Sequence, residues 1–268
     1  MTTHLSRTEL RRRLRVTTAL AGGALIAASP GLAQTVPTGP TPAAGNPTIT
    51  STPSPTPGAI DMDVSLDQDR TIINWTSFDI GQDDSVNFRD GFSAGANALA
   101  VLNRDLSGNL SQIDGSLLSD ANVSVYLLNT NGITFGAGAN VNVGALVAST
   151  LDLTDADFLD GASYNFTGTG TAGIDIAGGT INGAMAVSFL GHFVNQAGGT
   201  VTGGNVAFVA ASDVTMANEP GSPLGLTINQ GTEVAAPIVV GGTVNGQNVY
   251  VGMATKSTVT DAVLSISG

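Results

Sequence analysis

One short pattern contains residue types that could catalyse hydrolysis. Gly91-Phe92-Ser93-Ala94-Gly95 has the form G-x-S-x-G, and His192 follows downstream with aspartates between them, which is the chain order of an α/β-hydrolase triad. That chemistry needs its serine on a turn between a strand and a long helix. No segment sustains a 3.6-residue apolar period over 12 residues, so such helices are not expected. The sequence therefore predicts that Ser93 is not a nucleophile and that the protein is not a serine hydrolase.

A glycine pattern could instead bind a phosphate. Residues 168–173 read G-T-G-T-A-G and match G-x-G-x-x-G. This pattern holds a pyrophosphate only when a helix follows, because the helix N-terminus supplies the free amides. Ile174-Asp175-Ile176 and the glycines after it cannot begin a helix. No dinucleotide or other cofactor is expected.

Groups of aspartates are the candidate metal ligands. Four of them occur within nine residues, but the segment lacks the glycine and the terminal glutamate of a calcium loop, so we expect a solvated edge. His192 stands alone after the leader and cannot build a zinc site. A second group could line a polysaccharide-lyase groove, but it lacks a neighbouring cation, and we interpret it as a polar loop on a solenoid. The two groups are Asp61, Asp63, Asp67 and Asp69, and Asp152, Asp155, Asp157 and Asp160.

The first 33 residues have the form of a secretory signal peptide. Five arginines between Arg7 and Arg15 precede the apolar stretch 16–28, which is too short to span a bilayer. Gly31-Leu32-Ala33 supplies small residues for cleavage after Ala33. Removing this leader leaves four basic and 20 acidic residues, a net charge of −16. Because nucleic-acid binding depends on clustered Lys and Arg, nucleic acid is excluded as a partner.

The rest of the chain divides by composition. Residues 34–58 hold seven of the 11 prolines among Thr, Ser and Ala, which predicts an extended, mobile linker. Residues 59–268 contain short runs of Val, Ile, Thr and Asn interrupted by glycines. The Glu and Lys residues of this segment are only Glu219, Glu233 and Lys256. This texture predicts an all-β domain with many short strands.

A repeat in the second half indicates how these strands are arranged. The form G-G-T-[IV]-x-G occurs at residues 178–183, 198–203 and 241–246, with spacings of 20 and 43 residues. A period near 20 favours a parallel β-helix over a β-sandwich. In such a solenoid apolar residues line up inside, glycines occupy corners that need a positive φ, and Asn or Thr side chains form ladders between coils.

The most specific segment spans residues 126–150. It reads Y-L-L-N-T-N-G-I-T-F-G, followed at residue 141 by V-N-V-G-A-L-V-A-S-T. Asn131-Gly132 between apolar runs predicts a tight turn that joins two short strands. The two segments closely resemble the paired motifs N-P-N-G-I-x-F-G and V-N-V-G-G-L-V-A-S-T of the two-partner-secretion domain of filamentous-haemagglutinin-type exoproteins, also called the haemagglutination activity domain. The chain departs from them at Thr130 and Ala145.

Two further segments are similar to that family. Residues 72–80 match its apolar strand with the single tryptophan, Trp75, for which we expect a core position together with Phe78. Asn103-Arg104 and residues 111–115 match its N-R-V and S-x-I-x-G, with Asp105 and Leu110 as departures. The resemblance covers residues 59–153 strongly and the remainder in texture.

The resemblance implies a right-handed parallel β-helix with an N-terminal cap and extra-helical β-hairpins. It also implies a non-enzymatic secretion domain that crosses the periplasm and is recognised by an outer-membrane β-barrel transporter with periplasmic domains. Such a domain nucleates folding outside the cell, where the protein is secreted or surface-bound. The residues that it singles out for the turn or for recognition are Asn129, Asn131, Gly132, Phe135 and Gly136, with Asn103 and Arg104 as weaker candidates.

Two other functions stay open at this point. A surface adhesin could bind carbohydrate or protein through a face of the solenoid, and a β-helical carbohydrate-active enzyme would need several acids beside a cation. The chain ends at residues 264–268 within a strand-like pattern, so the β-helical domain could continue in a longer exoprotein.

Overall fold

The computed structural model describes residues 35–91, 98–217, 225–234 and 237–254. The chain divides into two units, Met1–Gly31 and Leu32–Gly268, and every described residue belongs to the second. The predicted signal peptide and Phe92–Gly95 of the serine pattern therefore lie outside the described residues. Within the described ranges, no helix has the length and apolar character needed to cross a membrane.

Strands make up most of the described chain. The first half contains β1 (Thr41–Ala44), β2 (Thr48–Pro53), β3 (Ile60–Leu66), β4 (Arg70–Trp75), β5 (Ser85–Asp90), β6 (Leu99–Asp105), β7 (Ser111–Ile113), β8 (Ser116–Ser119), β9 (Val123–Leu128) and β10 (Ile133–Phe135). The second half contains β11 (Asn140–Ser149), β12 (Asp152–Leu153), α1 (Asp155–Asp160), β13 (Ser163–Thr167), β14 (Ile174–Ile176), β15 (Thr180–Gly191), β16 (Val194–Gln196), β17 (Thr200–Ala210), β18 (Asp213–Ala217), β19 (Gly225–Gln230), β20 (Ile238–Val240) and β21 (Thr243–Met253).

The strands wind into a parallel β-helix, which confirms the predicted fold class. Strands of successive coils pair in parallel, as β10 does with β7 and β14. Two faces of the coils belong to one twelve-stranded sheet, and the third face is the five-stranded sheet β20-β16-β14-β10-β7. The interior is filled by one apolar cluster that runs through all coils and includes Trp75 and Phe78, whose rings meet edge to face at 5.6 Å.

The Gly-Gly-Thr repeats stack in register. Thr180 lies beside Thr200, and Thr200 lies beside Thr243. Gly179 and Gly199 have φ angles of 75° and 74° at the corners, as the repeat predicted. The 43-residue spacing corresponds to a single coil, because β17 pairs directly with β21 and the additional residues form the excursion that contains β18 and β19.

Two such excursions form a separate sheet outside the solenoid. β12, α1 and β13 interrupt the coil between β11 and β14, and β13 pairs antiparallel with β18 to give the sheet β12-β13-β18-β19. A second apolar cluster, which includes Tyr126, Phe158 and Tyr164, lies between this sheet and the solenoid. Arg70 of β4 fixes the contact by donating to the Phe158 carbonyl at 3.0 Å and the Tyr164 hydroxyl at 2.7 Å.

The segment predicted to be a mobile linker instead caps the solenoid. β1 pairs antiparallel with β4, and β2 pairs antiparallel with β3, so residues 41–53 cover the two open edges of the first coil. Unpaired strand edges are a liability, and covering them stabilises the coil stack. Prolines are compatible with this role because an edge strand can leave one side without N–H donors. The prediction of a linker from proline content was wrong for these strands.

Candidate functional site: the Asn-Gly corner

The Asn-Gly segment forms a corner between two faces of one coil. β9 ends at Leu128 in the twelve-stranded sheet, and β10 begins at Ile133 in the five-stranded sheet. The Gly132 amide donates to the Asn129 carbonyl at 3.1 Å and closes the turn. Gly132 has a φ of 121°, a region that side-chain-bearing residues rarely adopt. The predicted turn is confirmed, although its two strands continue the solenoid and do not form a hairpin.

Asn129 ties this corner to the preceding coil. Its side-chain oxygen accepts the Asn131 amide at 2.8 Å, which fixes the turn from within. Its Nδ2 donates to the Asn109 carbonyl at 2.8 Å and to the Ser111 hydroxyl at 2.9 Å. Asn129 is only 1% exposed, so these bonds are shielded from water. A buried polar group needs such partners, and here they fix the position of the turn.

A buried carboxylate lies at the centre of this network. Asp105 is 4% exposed, and its Oδ2 accepts hydrogen bonds from the Phe78 amide at 3.0 Å, the Ser111 hydroxyl at 2.6 Å and Asn129 Nδ2 at 3.1 Å. Its Oδ1 accepts the Ser107 amide at 2.8 Å. These four donors come from three successive segments of the solenoid. Asp105 therefore connects three coils at the corner, without an ion pair among the described residues.

A second carboxylate nearby is affected by this charge. Asp79 accepts the Gln112 amide at 2.8 Å. Burial raises the pKa of Asp79 above its usual value, the Gln112 amide partly opposes the rise, and the negative charge of Asp105 adds to it. Burial first, and the charge of Asp105 second, therefore disfavour the ionisation of Asp79.

The other turn residues and Asn103 are held inside the coil. Phe135 is buried and meets Phe189 edge to face at 6.0 Å. A side chain at Gly136 would collide with the Asp114 carboxylate. Asn103 accepts the Trp75 indole N–H at 3.0 Å and donates to the Tyr126 carbonyl at 3.2 Å. Phe135, Gly136 and Asn103 therefore contribute to packing inside the solenoid and not to its outer surface.

Arg104 points to the extra-helical sheet. Its guanidinium pairs with Asp152 at 3.1 Å and Asp155 at 2.9 Å, and it donates to the Leu153 carbonyl at 2.7 Å. Thr154 caps the short helix α1 that follows, and its hydroxyl accepts the Asp157 amide. A cation therefore does lie beside this group of aspartates, contrary to the sequence expectation, but it forms ion pairs with Asp152 and Asp155. Asp155 and Asp157 lie in the first turn of α1, where negative charge is favourable, and Asp160 ends the helix.

The part of the corner that solvent can reach is small. Thr130 and Asn131 are exposed at the tip of the turn. Beside them lies the loop 106–110, where Leu106 is 61% exposed and Leu110 is 47% exposed. This loop is fixed by the Ser107 amide bond to Asp105 and by the bond from Asn129 to Asn109. The corner presents a rigid tip with two polar and two apolar side chains.

The aspartate group at residues 61–69 and the glycine pattern at residues 168–173 do not form a metal or phosphate site within the described residues. Asp61 accepts from Ser85, Asp63 pairs with Arg89, and Asp67 accepts the Asn46 amide. No group of three or more potential metal ligands occurs in the described ranges. Residues 168–173 form a loop without a following helix. Residues 168–171 line a cavity of about 470 Å³ together with the buried His192.

Sequence reasoning missed the residues that build the corner. Asp105 was noticed only as a departure from the family motif, and Asn109 was not identified at all. The available signal was the position of Asp105, since a charged residue occupies an inward-facing place at the end of the apolar strand β6. A buried charge at such a place needs several donors, and this requirement points to neighbouring turns.

Comparisons with known proteins give a consistent result. Residues 33–263 match the family described as TPS secretion domain. The heme/hemopexin-binding protein of Haemophilus influenzae is 42% identical over 106 residues, which is 40% of this chain and 11% of that protein. Its counterpart from strain ATCC 51907 is 48% identical over 83 residues, or 31% of this chain and 8% of the relative. This chain therefore matches about a tenth of the length of these relatives.

A solved structure is similar over most of the chain. The crystal structure of the HMW1 secretion domain from Haemophilus influenzae aligns with a TM-score of 0.57 and 28% identity. The alignment covers 80% of this chain and 57% of the HMW1 chain.

Proposed function

The chain belongs to the TPS secretion domain family, and on that premise we propose that a cognate outer-membrane transporter recognises it at the Asn-Gly corner. As a secretion domain of an exoprotein, it is exported through the periplasm and is secreted or displayed at the surface. The periplasmic domains of the transporter are the part that contacts the Asn-Gly corner.

The observation that carries the proposal is the combination of a buried network and an exposed tip. Asp105 and Asn129 fix the turn through hydrogen bonds to three coils. Thr130 and Asn131, at the tip of this fixed turn, remain exposed to solvent. A preorganised tip binds a partner without an ordering cost at the moment of contact.

Strand addition supplies a second mode of contact for the same partner. β2 at the cap and β19 at the outer sheet each pair with a single neighbour among the described strands. Their free edges can accept a strand of a periplasmic domain, with backbone hydrogen bonds giving affinity and the corner giving specificity.

Binding of the leaderless chain to the purified periplasmic domains of the transporter tests this proposal. Asn131→Ala should weaken binding about tenfold, the loss expected when one well-placed polar contact is removed. Its melting temperature should change little, because the Asn131 backbone amide keeps its bond to Asn129 and only a long side-chain bond of 3.3 Å to Asn129 is lost. Gly132→Val should weaken binding too, but its φ of 121° also strains the turn.

Asn140→Ala is the matched control. Asn140 is also exposed, and its side chain makes a single long bond of 3.4 Å to Ser116. This variant should bind as the wild type does. Equal affinity of the Asn131 and Asn140 variants would show that the corner has only a structural role, and failure of the wild type to bind would remove the partner assignment itself.

We further propose that residues 1–33 are the cleaved leader, that the secretion domain includes the cap from residue 34 and continues through residue 268, and that it acts without catalysis. The family match begins at residue 33, next to the predicted cleavage position. Replacing Ala33 with a bulky residue should leave an unprocessed precursor in cells, detectable by its greater mass. Normal processing of that variant would place the cleavage elsewhere.

A further inference from the structure

The Gly-Gly-Thr repeats place a regular array of polar side chains on one outer face of the solenoid. We call this array the polar strip. It comprises two columns that cross four successive coils. The first column is Asn140, Thr180, Thr200 and Thr243, and the second is Asn142, Asn182, Thr202 and Asn245.

The strip follows from strand geometry. In each rung the residue between the two polar positions points inward, as buried Val141, Ile181 and Val201 do. Adjacent rungs are separated by the strand spacing of about 4.8 Å, and the two columns by about 6.6 Å, two residues along a strand. The register of the pairing keeps both columns straight.

Many polar atoms of the strip are available to a ligand. Asn182 donates to Asn142 at 2.7 Å, and Asn245 approaches Thr202 at 3.5 Å. Each of these amides has two N–H groups, so one remains for another acceptor. The hydroxyls of Thr180, Thr200 and Thr243 make no hydrogen bond within the part of the chain that the structure describes. The strip thus offers both donors and acceptors at fixed intervals.

The charge of the strip limits the kind of ligand. The chain without its leader has a net charge of −16, yet none of the eight strip positions is charged. An anionic polymer would be repelled by the net negative charge of the chain. A protein partner usually needs an apolar or aromatic anchor, and the strip positions provide none. A neutral linear polymer that is rich in hydroxyls fits both restrictions.

We propose that the polar strip binds a neutral polysaccharide that lies along the solenoid axis. Each sugar hydroxyl both donates and accepts a hydrogen bond, as threonine hydroxyls and asparagine amides do. Repeated weak contacts along one chain add through effective concentration, so a polymer is retained where a single sugar is not. This function is separate from recognition by the transporter, since the strip and the Asn-Gly corner are different surfaces.

The test uses the complete leaderless chain and three immobilised neutral glucans of different linkage: dextran, amylose and mixed-linkage β-glucan. Carboxymethylated dextran provides a charged counterpart with the same backbone. We expect retention on at least one neutral glucan and at least tenfold weaker retention on the carboxymethylated form. The triple variant Thr180→Val, Thr200→Val and Thr243→Val should bind the same glucan at least tenfold more weakly, while keeping strand propensity and shape.

Thr134→Val is the matched control, because Thr134 lies on the five-stranded sheet and not on the strip. It should bind as the wild type does. If the triple variant unfolds, Thr243→Val alone at the exposed rung should still reduce retention. The proposal is overturned if no neutral glucan retains the wild type, if the strip variants bind as the wild type does, or if the carboxymethylated form binds best. Transporter binding should be unchanged in all variants.

Discussion

The Asn-Gly corner and the Gly-Gly-Thr corners turn the same solenoid by different physical means. At Gly179 the backbone is packed so closely that a side chain would meet the Ala139 carbonyl, and at Gly199 it would meet the Gly178 carbonyl oxygen at 2.6 Å. Gly132 has more room, since an added Cβ would lie 3.5 Å from its nearest neighbours. The Asn-Gly corner instead depends on the side chains of Asp105 and Asn129.

This difference indicates what each corner contributes. The Gly-Gly-Thr corners can be repeated along the chain because they require only a residue that lacks a side chain and can adopt a positive φ. The Asn-Gly corner needs several particular residues from three coils, and a solenoid turn by itself does not require them. Changes at the two kinds of corner should therefore separate stability from recognition.

Removal of the buried carboxylate should have the largest effect. Asp105→Ala leaves the donors from Phe78, Ser107, Ser111 and Asn129 without their acceptor. At about 1–3 kcal/mol for each buried unsatisfied group, partly offset by entering water, we expect a loss of about 4 kcal/mol in the free energy of unfolding. Urea denaturation measures this loss. A loss below about 1 kcal/mol would contradict the central position of Asp105.

Alanine at the two kinds of glycine should give the next largest effects and should distinguish the corners. Gly179→Ala combines a φ of 75° with a backbone collision, and we expect a loss of about 3 kcal/mol. Gly132→Ala meets strain without collision, and we expect a loss of about 1–2 kcal/mol.

Transporter binding should show the reverse order. The Gly132 variant should bind more weakly at a temperature where both variants are folded, and the Gly179 variant should bind as the wild type does. Denaturation and binding measured on the same samples check both statements. Weaker binding by the Gly179 variant would mean that solenoid stability, and not the Asn-Gly corner, controls recognition.

Loss of the arginine next to the corner should have a smaller effect. Arg104→Ala removes two ion pairs with half-exposed aspartates and a hydrogen bond to the Leu153 carbonyl. It also removes a hydrogen bond to Asn74. Because the two aspartates are half exposed, the ion pairs contribute little, and we expect a loss of about 1 kcal/mol. Arg89→Ala is the control and should cost less, because the pairs of Arg89 with Asp63 and Asp120 have half-exposed side chains on both sides. Unchanged transporter binding by the Arg104 variant is expected, and weaker binding would assign Arg104 to the recognition surface.

The sequence predicted the solenoid and the turn because both are locally encoded. The period near 20, the glycine positions and Asn131-Gly132 are visible without knowledge of distant contacts. It did not predict that Asp105 joins residues 78, 107, 111 and 129, since that network depends on how coils stack. It also misjudged residues 41–53, because composition predicts flexibility but not whether a free sheet edge lies within reach. The 43-residue spacing of the last repeat likewise did not reveal that a single coil carries the additional strands β18 and β19 outside the solenoid.

A change in the pH dependence of stability should be the smallest effect, and it should be confined to the Asn-Gly corner. Burial, with a contribution from Asp105, raises the pKa of Asp79 in the folded chain above the usual value of 3.8. The folded state therefore binds this proton more tightly than the unfolded state, so the contribution of Asp79 to stability falls as pH rises from 3.8 through the raised pKa.

Asp79→Asn keeps an oxygen that can accept the Gln112 amide but removes the titration. At neutral pH this variant should be more stable than the wild type, and the difference should shrink as the pH is lowered towards 3.8. Urea denaturation of both proteins at several pH values measures the trend. A difference that does not change with pH would show that burial and the charge of Asp105 do not raise the pKa of Asp79, and the corner would then resemble the Gly-Gly-Thr corners in being governed by packing alone.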